Sequence, residues 1–366
     1  MRFMQGKSSL QLTVALLVVI GSGQAGGEPA RTVVEWWFDN TVKWNGWSPS
    51  GAIQNVAFAA DSVSFDATGA DPIISGPWFE PKPASNQQWV EIDIDVPGPA
   101  TGELFYTNKR QSQYDGFEAQ WTTPYWTSAG GRQTVTVWPF WSALGNIIRL
   151  RVDPPSETHC KLYAVRIVEL VGTGSPPAWT FGEQEDSWRP MHAASMKRSK
   201  DGLLVTASQP QAMIVTAVEP FDASKRSILR FNGSPQLVDK PVFNLYWATK
   251  EEEGFFGQPI AFDRSPGAGK VRTFDLRQFP QWKGTVTHLA IAFADEADET
   301  IVIRSLSVDG NAGTPFSPKP PAFTKPRARS DHAVAAIWGA GILPAERRRA
   351  GMPAPHHSGP RNAAII

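Results

Sequence analysis

Hydrophobic and polar positions alternate in short runs along most of the chain. In Trp89–Val96, Val90, Ile92, Ile94 and Val96 share one side while Glu91, Asp93 and Asp95 share the other. A period of two is that of a half-buried β-strand, and Pro97-Gly98-Pro99 ends it. Val56–Ser64, Leu104–Lys109, Ile148–Val152 and Cys160–Leu170 read as strands as well. Farther on, so do Leu203–Ala207, Ala212–Val218, Ser227–Asn232, Val242–Thr249, Val271–Leu276, Val286–Phe293 and Thr300–Val308. Helical periodicity is nearly absent. Strands at this spacing with turn residues between them predict an all-β chain, an antiparallel sandwich or jelly roll rather than a βαβ fold.

The pattern is written twice, at a constant offset of 141 residues. Tyr106 corresponds to Trp247, Pro139 to Pro280, Trp141 to Trp282 and Leu150 to Ile291. The same offset pairs Trp47 with Trp188, and Val165 and Ile167 with Leu306 and Val308. Copies this long are tandem domains, because solenoid repeats are several-fold shorter. The sequence therefore predicts a first domain over 31–170, a Gly/Ser/Pro linker over 171–177 and a second domain over 178–310. Residues 315–366 carry nine prolines, eight Lys or Arg and two acids without apolar periodicity, which reads as a disordered basic tail. At the other end Arg2 and Lys7 precede the apolar run Leu10–Ile20 and Gly23-Gln24-Ala25. That is the pattern of a secretory signal peptide over 1–25, and its core is too short to span a bilayer. A secreted, periplasmic or cell-surface protein is expected, with no membrane span in the mature chain.

Charge narrows the partners. Lys plus Arg and Asp plus Glu both number 35, so no overall field attracts nucleic acid. The lone cysteine, Cys160, permits no intrachain disulfide and reads as a small buried hydrophobe. Catalytic signatures fail: there is no G-x-S-x-G elbow and no H-E-x-x-H, and Ser265–Lys270 lacks the residues a phosphate loop needs. Asp295, Glu296, Asp298 and Glu299 could hold a structural calcium, although their spacing fits a charged turn better. No cofactor is expected.

Several landmarks carry a resemblance. They are Gly46-Trp47, Thr68-Gly69-Ala70-Asp71-Pro72, Leu104-Phe105-Tyr106-Thr107 and Ile148–Pro154. With them the chain resembles tandem galactose-binding-like jelly-roll modules, the carbohydrate-binding accessory domains of secreted bacterial glycan-degrading proteins. The resemblance implies a secreted, non-catalytic protein that binds sugars through loops at one end of a sandwich. Two alternatives stand beside it: the accessory N-terminal part of a glycoside hydrolase, or a cell-surface structural or adhesion protein.

The duplication also sorts the aromatic residues. Rings shared by both copies, Tyr106/Trp247 and Trp141/Trp282 among them, are expected in the core, as is Trp138 with Phe279. Trp36, Trp37, Trp44, Trp78, Trp89, Tyr125 and Trp126 lack a counterpart at that offset. Tyr125 and Trp126 fall in a predicted loop over 120–131, preceded by Arg110 and Asp115, and Trp44 and Asn45 fall in a second loop. Exposed aromatics beside polar side chains offer stacking and hydrogen bonds to a sugar. The predicted ligand residues are thus Trp44, Asn45, Arg110, Asp115, Tyr125 and Trp126.

Overall fold

The computed structural model describes residues 30–110, 116–128, 130–171, 176–183, 186–233, 244–251, 256–258, 271–294 and 296–310. The predicted leader, the basic tail, most of the linker and Asp115 lie outside the described residues. Strands dominate. The first half forms β1 (Ala30–Trp37), β2 (Ser48–Pro49), β3 (Ile53–Phe58), β4 (Val63–Ala67), β5 (Ile74–Ser75), β6 (Lys82–Pro83) and β7 (Gln88–Val96). It continues with β8 (Ala100–Thr107), β9 (Thr122–Thr127), β10 (Gly131–Val137), β11 (Asn146–Ile147), β12 (Arg149–Asp153) and β13 (Thr158–Leu170). The second half forms β14 (Ala178–Thr180), β15 (Arg189–His192), β16 (Ala194–Ser199), β17 (Gly202–Ala207), β18 (Ala212–Asp222) and β19 (Arg226–Gly233). Then come β20 (Asn244–Thr249), β21 (Phe256–Gln258), β22 (Arg272–Asp275), β23 (Thr285–Phe293) and β24 (Thr300–Gly310). The strand expected over Val56–Ser64 is instead the hairpin β3–β4, turned at residues 59–62.

Each half is a sandwich of two antiparallel sheets, and the strand orders match. In the first, β10-β7-β13-β4-β3 forms one sheet, with β1 also on β13, and β2-β5-β12-β8-β9 forms the other. In the second, β22-β19-β24-β17-β16 forms one sheet, with β14 on β24, and β15-β18-β23-β20-β21 forms the other. Every strand of these four sheets thus has a counterpart at the same place in the twin, while β6 and β11 pair with each other and, among the described residues, have none. Each sandwich has its own core. Trp47, Tyr106 and Trp141 lie buried in the first and Trp188, Trp247 and Trp282 in the second. The ring contacts repeat as well: Tyr106–Trp141 centroids are 5.4 Å apart and Trp247–Trp282 centroids 5.1 Å.

One unpaired ring proves to be paired. Trp36 faces Val165 across β1–β13 and meets Trp47 edge-on at 5.4 Å. Trp179 faces Leu306, the counterpart of Val165, and meets Trp188 edge-on at 5.3 Å. The two tryptophans are 143 residues apart, so a fixed offset misses them.

The two domains meet face to face. Within an antiparallel sheet, partners point to the same side and neighbours along a strand alternate. Since Val90 and Val137 point into the first core, Trp89, Trp138 and Val168 point outward. They are nonetheless buried, together with Leu170, against Met213, Val215, Ala217, Tyr246, Ala290 and Ala292 from the outer side of β18, β23 and β20. Trp138 therefore packs between the domains and not within its own sandwich.

Candidate functional site

This packing leaves the two equivalent faces with opposite fates. The outer side of β18, β23 and β20 is largely apolar, and the first domain covers it. Its counterpart, the outer side of β2-β5-β12-β8-β9, carries Thr107 beside Arg149, then Phe105 beside Arg151 and Ser75, then Glu103 beside Asp153, and last Thr101 beside Trp126. Successive rows lie two residues, about 6.8 Å, apart. The strip from the first row to the fourth is roughly 20 Å long.

Its rings are held by guanidinium groups. Trp78 follows the Gly76–Pro77 extension of β5 and stays 37% exposed. Arg149 lies 4.5 Å from its ring centre and Arg110 5.7 Å. Arg149 is itself buried, donating from Nε to the Gly76 carbonyl oxygen at 2.6 Å and lying 5.5 Å from the Phe117 ring. Arg151 stacks on Phe105 at 4.4 Å. It also grips both carboxylate oxygens of Asp153, the Nε–Oδ1 distance being 2.6 Å, and reaches Asp71 at 3.3 Å. Cation–π contacts and a bidentate pair fix these side chains before anything binds.

Burial pushes the Asp153 carboxyl up to about 6, with help from Asp71 and Glu103 and against the opposing pull of Arg151. Glu103 and Asp153 are cross-strand neighbours on one face. A glycosidase needs its two carboxyl groups on opposite sides of the scissile bond, and here both rise from the same sheet while Arg151 occupies both Asp153 oxygens. The arrangement suits holding hydroxyl groups better than cleaving a bond.

The predicted ligand residues are not brought together. Residues 122–127 are strand β9, so Tyr125 and Trp126 point to opposite sides. Tyr125 is turned into the core, 1% exposed, with its ring over Gly102 and its hydroxyl donating to the Asp153 carbonyl oxygen at 3.3 Å. Burial raises its phenol well above the ordinary range, and the ring is closed to a ligand. Trp44 also turns inward, 5.9 Å from both Phe58 and Phe65. Asn45 takes a left-handed backbone and donates its side-chain amide to the Trp37 carbonyl oxygen. Its loop is closed by Asp39, which accepts from the backbone N–H groups of Thr41 and Val42. Arg110 belongs to the Trp78 cluster, and Trp126 lies on the outer strip, half-buried against His192.

Sequence reasoning missed Phe105, Arg149, Arg151, Glu103 and Asp153. A signal existed in β8, where Phe105 stands on the polar phase of Glu103-Leu104-Phe105-Tyr106-Thr107, an aromatic ring on the solvent side. Elsewhere the Cys160 thiol is buried and pushed up to about 12, the behaviour of a core residue. Of the acidic turn near 295, Asp295 lies outside the described residues. Among the described residues no three His, Cys, Asp or Glu cluster as a metal site would need. No helix among them is long and apolar enough to cross a membrane.

The sequence matches no protein-family model and no curated protein. Its structure is similar to the N-terminal tandem CBM22 domains of Xyn10C from Paenibacillus barcinonensis, at 12% identity over 79% of this chain and 100% of that one, with a TM-score of 0.26. A xylan-binding module, CBM15, is similar at 15% identity over 38% of this chain and 97% of its own, with a TM-score of 0.25. The glycoside hydrolase domain of Endo-D from Streptococcus pneumoniae is similar at 10% identity over 70% of this chain and 36% of that one, with a TM-score of 0.26.

Proposed function

We propose that the chain is a secreted, non-catalytic carbohydrate-binding protein whose ligand lies along the outer side of β2-β5-β12-β8-β9. The observation that carries this reading is the ordered strip itself, with Trp78, Phe105 and Trp126 spaced along a face whose remaining groups, Pro124 apart, are Arg, Asp, Glu, Ser and Thr. A pyranose ring presents an apolar C–H surface and a rim of hydroxyls, and this face supplies aromatic rings and charged hydrogen-bonding groups together. Because Arg149 and Arg151 immobilise the rings, binding orders few side chains and loses little entropy. The second domain's equivalent face is covered, so the first domain carries the site.

Affinity electrophoresis through gels containing xylan, hydroxyethyl-cellulose, glucomannan or pectin tests the reading. At least one polysaccharide should retard the protein. Trp78→Ala should weaken that retardation by roughly tenfold or more in affinity, on the scale of a single hot-spot residue. Trp37→Ala is the control, since Trp37 is 45% exposed but belongs to β1 in the other sheet. Retardation in none of the gels, or equal loss in both variants, sinks the proposal. Intact mass of the exported product checks secretion and cleavage after Ala25.

A further inference from the structure

Trp126 closes one end of the aromatic strip, and the ring it meets edge-to-face belongs to the other domain. It stands on β9, the edge strand of its sheet, whose outer flank pairs with no strand among the described residues. Against it lies His192 of β15, the edge strand of the second domain's covered sheet. The imidazole and indole centres are 4.8 Å apart at 74°, an edge-to-face contact. His192 is 6% exposed, and its Nδ1 has no hydrogen-bond partner among the described residues. β15 also packs on β10, so its position is set by more than the single ring contact. An exposed indole on a free edge strand samples several rotamers, whereas one wedged against a buried ring from outside keeps one.

We propose that the second domain completes the carbohydrate-contacting face of the first, with His192 acting as the positioning residue for Trp126. This rests on the glycan reading above and deepens it. The second domain's equivalent face is covered, yet that domain sets the length of chain that the first can grip. A short oligosaccharide seated at Trp78 and Phe105 does not reach the fourth row, while a longer one does. His192 therefore governs preference for length and leaves the core subsites alone.

The test uses the full chain and two probes, xylo- and cello-oligosaccharides of two to six units, measured by titration calorimetry. His192→Ala should lower hexasaccharide affinity by roughly five- to tenfold, the scale of one aromatic contact, to the level of Trp126→Ala. It should leave disaccharide affinity unchanged. His192→Phe, which restores an aromatic edge, should recover the hexasaccharide. A ligand-free readout accompanies these: the indole ¹H–¹⁵N resonance of Trp126, identified by its loss in Trp126→Phe, should shift and broaden in His192→Ala and return in His192→Phe. An unmoved resonance, or equal losses for short and long oligomers, overturns the positioning role. A wild-type chain that binds neither series, nor any polysaccharide in the gels, overturns the glycan reading instead.

Discussion

Tyr125 and Trp126 show how much one residue's direction decides. Adjacent aromatics on a loop could both meet a ligand, but on a strand one of the two must face inward. Thr122-Thr123-Pro124 has the composition of a turn, and Pro124 is tolerated because β9 is an edge strand. Composition alone therefore could not reveal the strand. The inward ring fills the space left by Gly102, its cross-strand partner. A Cβ at residue 102 would meet the Tyr125 ring and stand 2.6 Å from the Asp153 carbonyl oxygen. Gly102→Ala should consequently destabilise the first domain by about 1–3 kcal/mol, as overpacking does, read as a lower denaturation midpoint. Gly98→Ala, where nothing lies within 4 Å, should cost far less.

At the scale of the strand, β12 joins stability to the proposed site. Arg151 and Asp153 share its outer side, both largely buried, and each neutralises the other. Arg151→Ala would leave a buried carboxylate without its partner, costing about 3–5 kcal/mol where Asp153 is ionised. Protonation relieves that cost. Asp153 titrates at about 6 with Arg151 present, and losing the cation moves it higher still. The destabilisation should accordingly be larger at pH 8 than at pH 5, as urea titrations at the two values would show. Most strands were legible from alternation, the hairpin within Val56–Ser64 excepted, and their correspondence between the copies from the duplication. A rigid offset of 141 failed where the connection into the second copy shifts by two, which is how Trp36 was sorted among the spare rings.

In the molecule as a whole, the join between domains was the least legible feature, although its trace is present. Ala212–Val218 and Leu289–Phe293 are apolar on both phases except at Thr216, the signature of strands covered on both sides. The join also buries His192 and His288. His288 stands 5.2 Å from Trp138 and 5.0 Å from Phe140. Burial lowers each imidazole to about 4, with a hydrogen bond to the Asn86 backbone opposing the shift at His288. An unfolded histidine titrates near ~6.5. Between these values the unfolded chain takes up protons that the folded chain refuses, so stability falls as pH drops from about 6.5 towards 4. The loss approaches roughly 3 kcal/mol per histidine. Denaturation between pH 7 and 4 should show this decline, and replacing both histidines by Leu should flatten it. An unchanged slope would place the acid sensitivity elsewhere.

Doubling a sandwich ordinarily doubles its grips on a polymer. Here the second copy's equivalent face serves as mortar against the first, so under the proposed glycan reading this pair of faces offers one hold rather than two. A monovalent binder decorates a polysaccharide strand without tying it to the next. If the proposal holds, adding more of this protein would coat a matrix while leaving it unlinked.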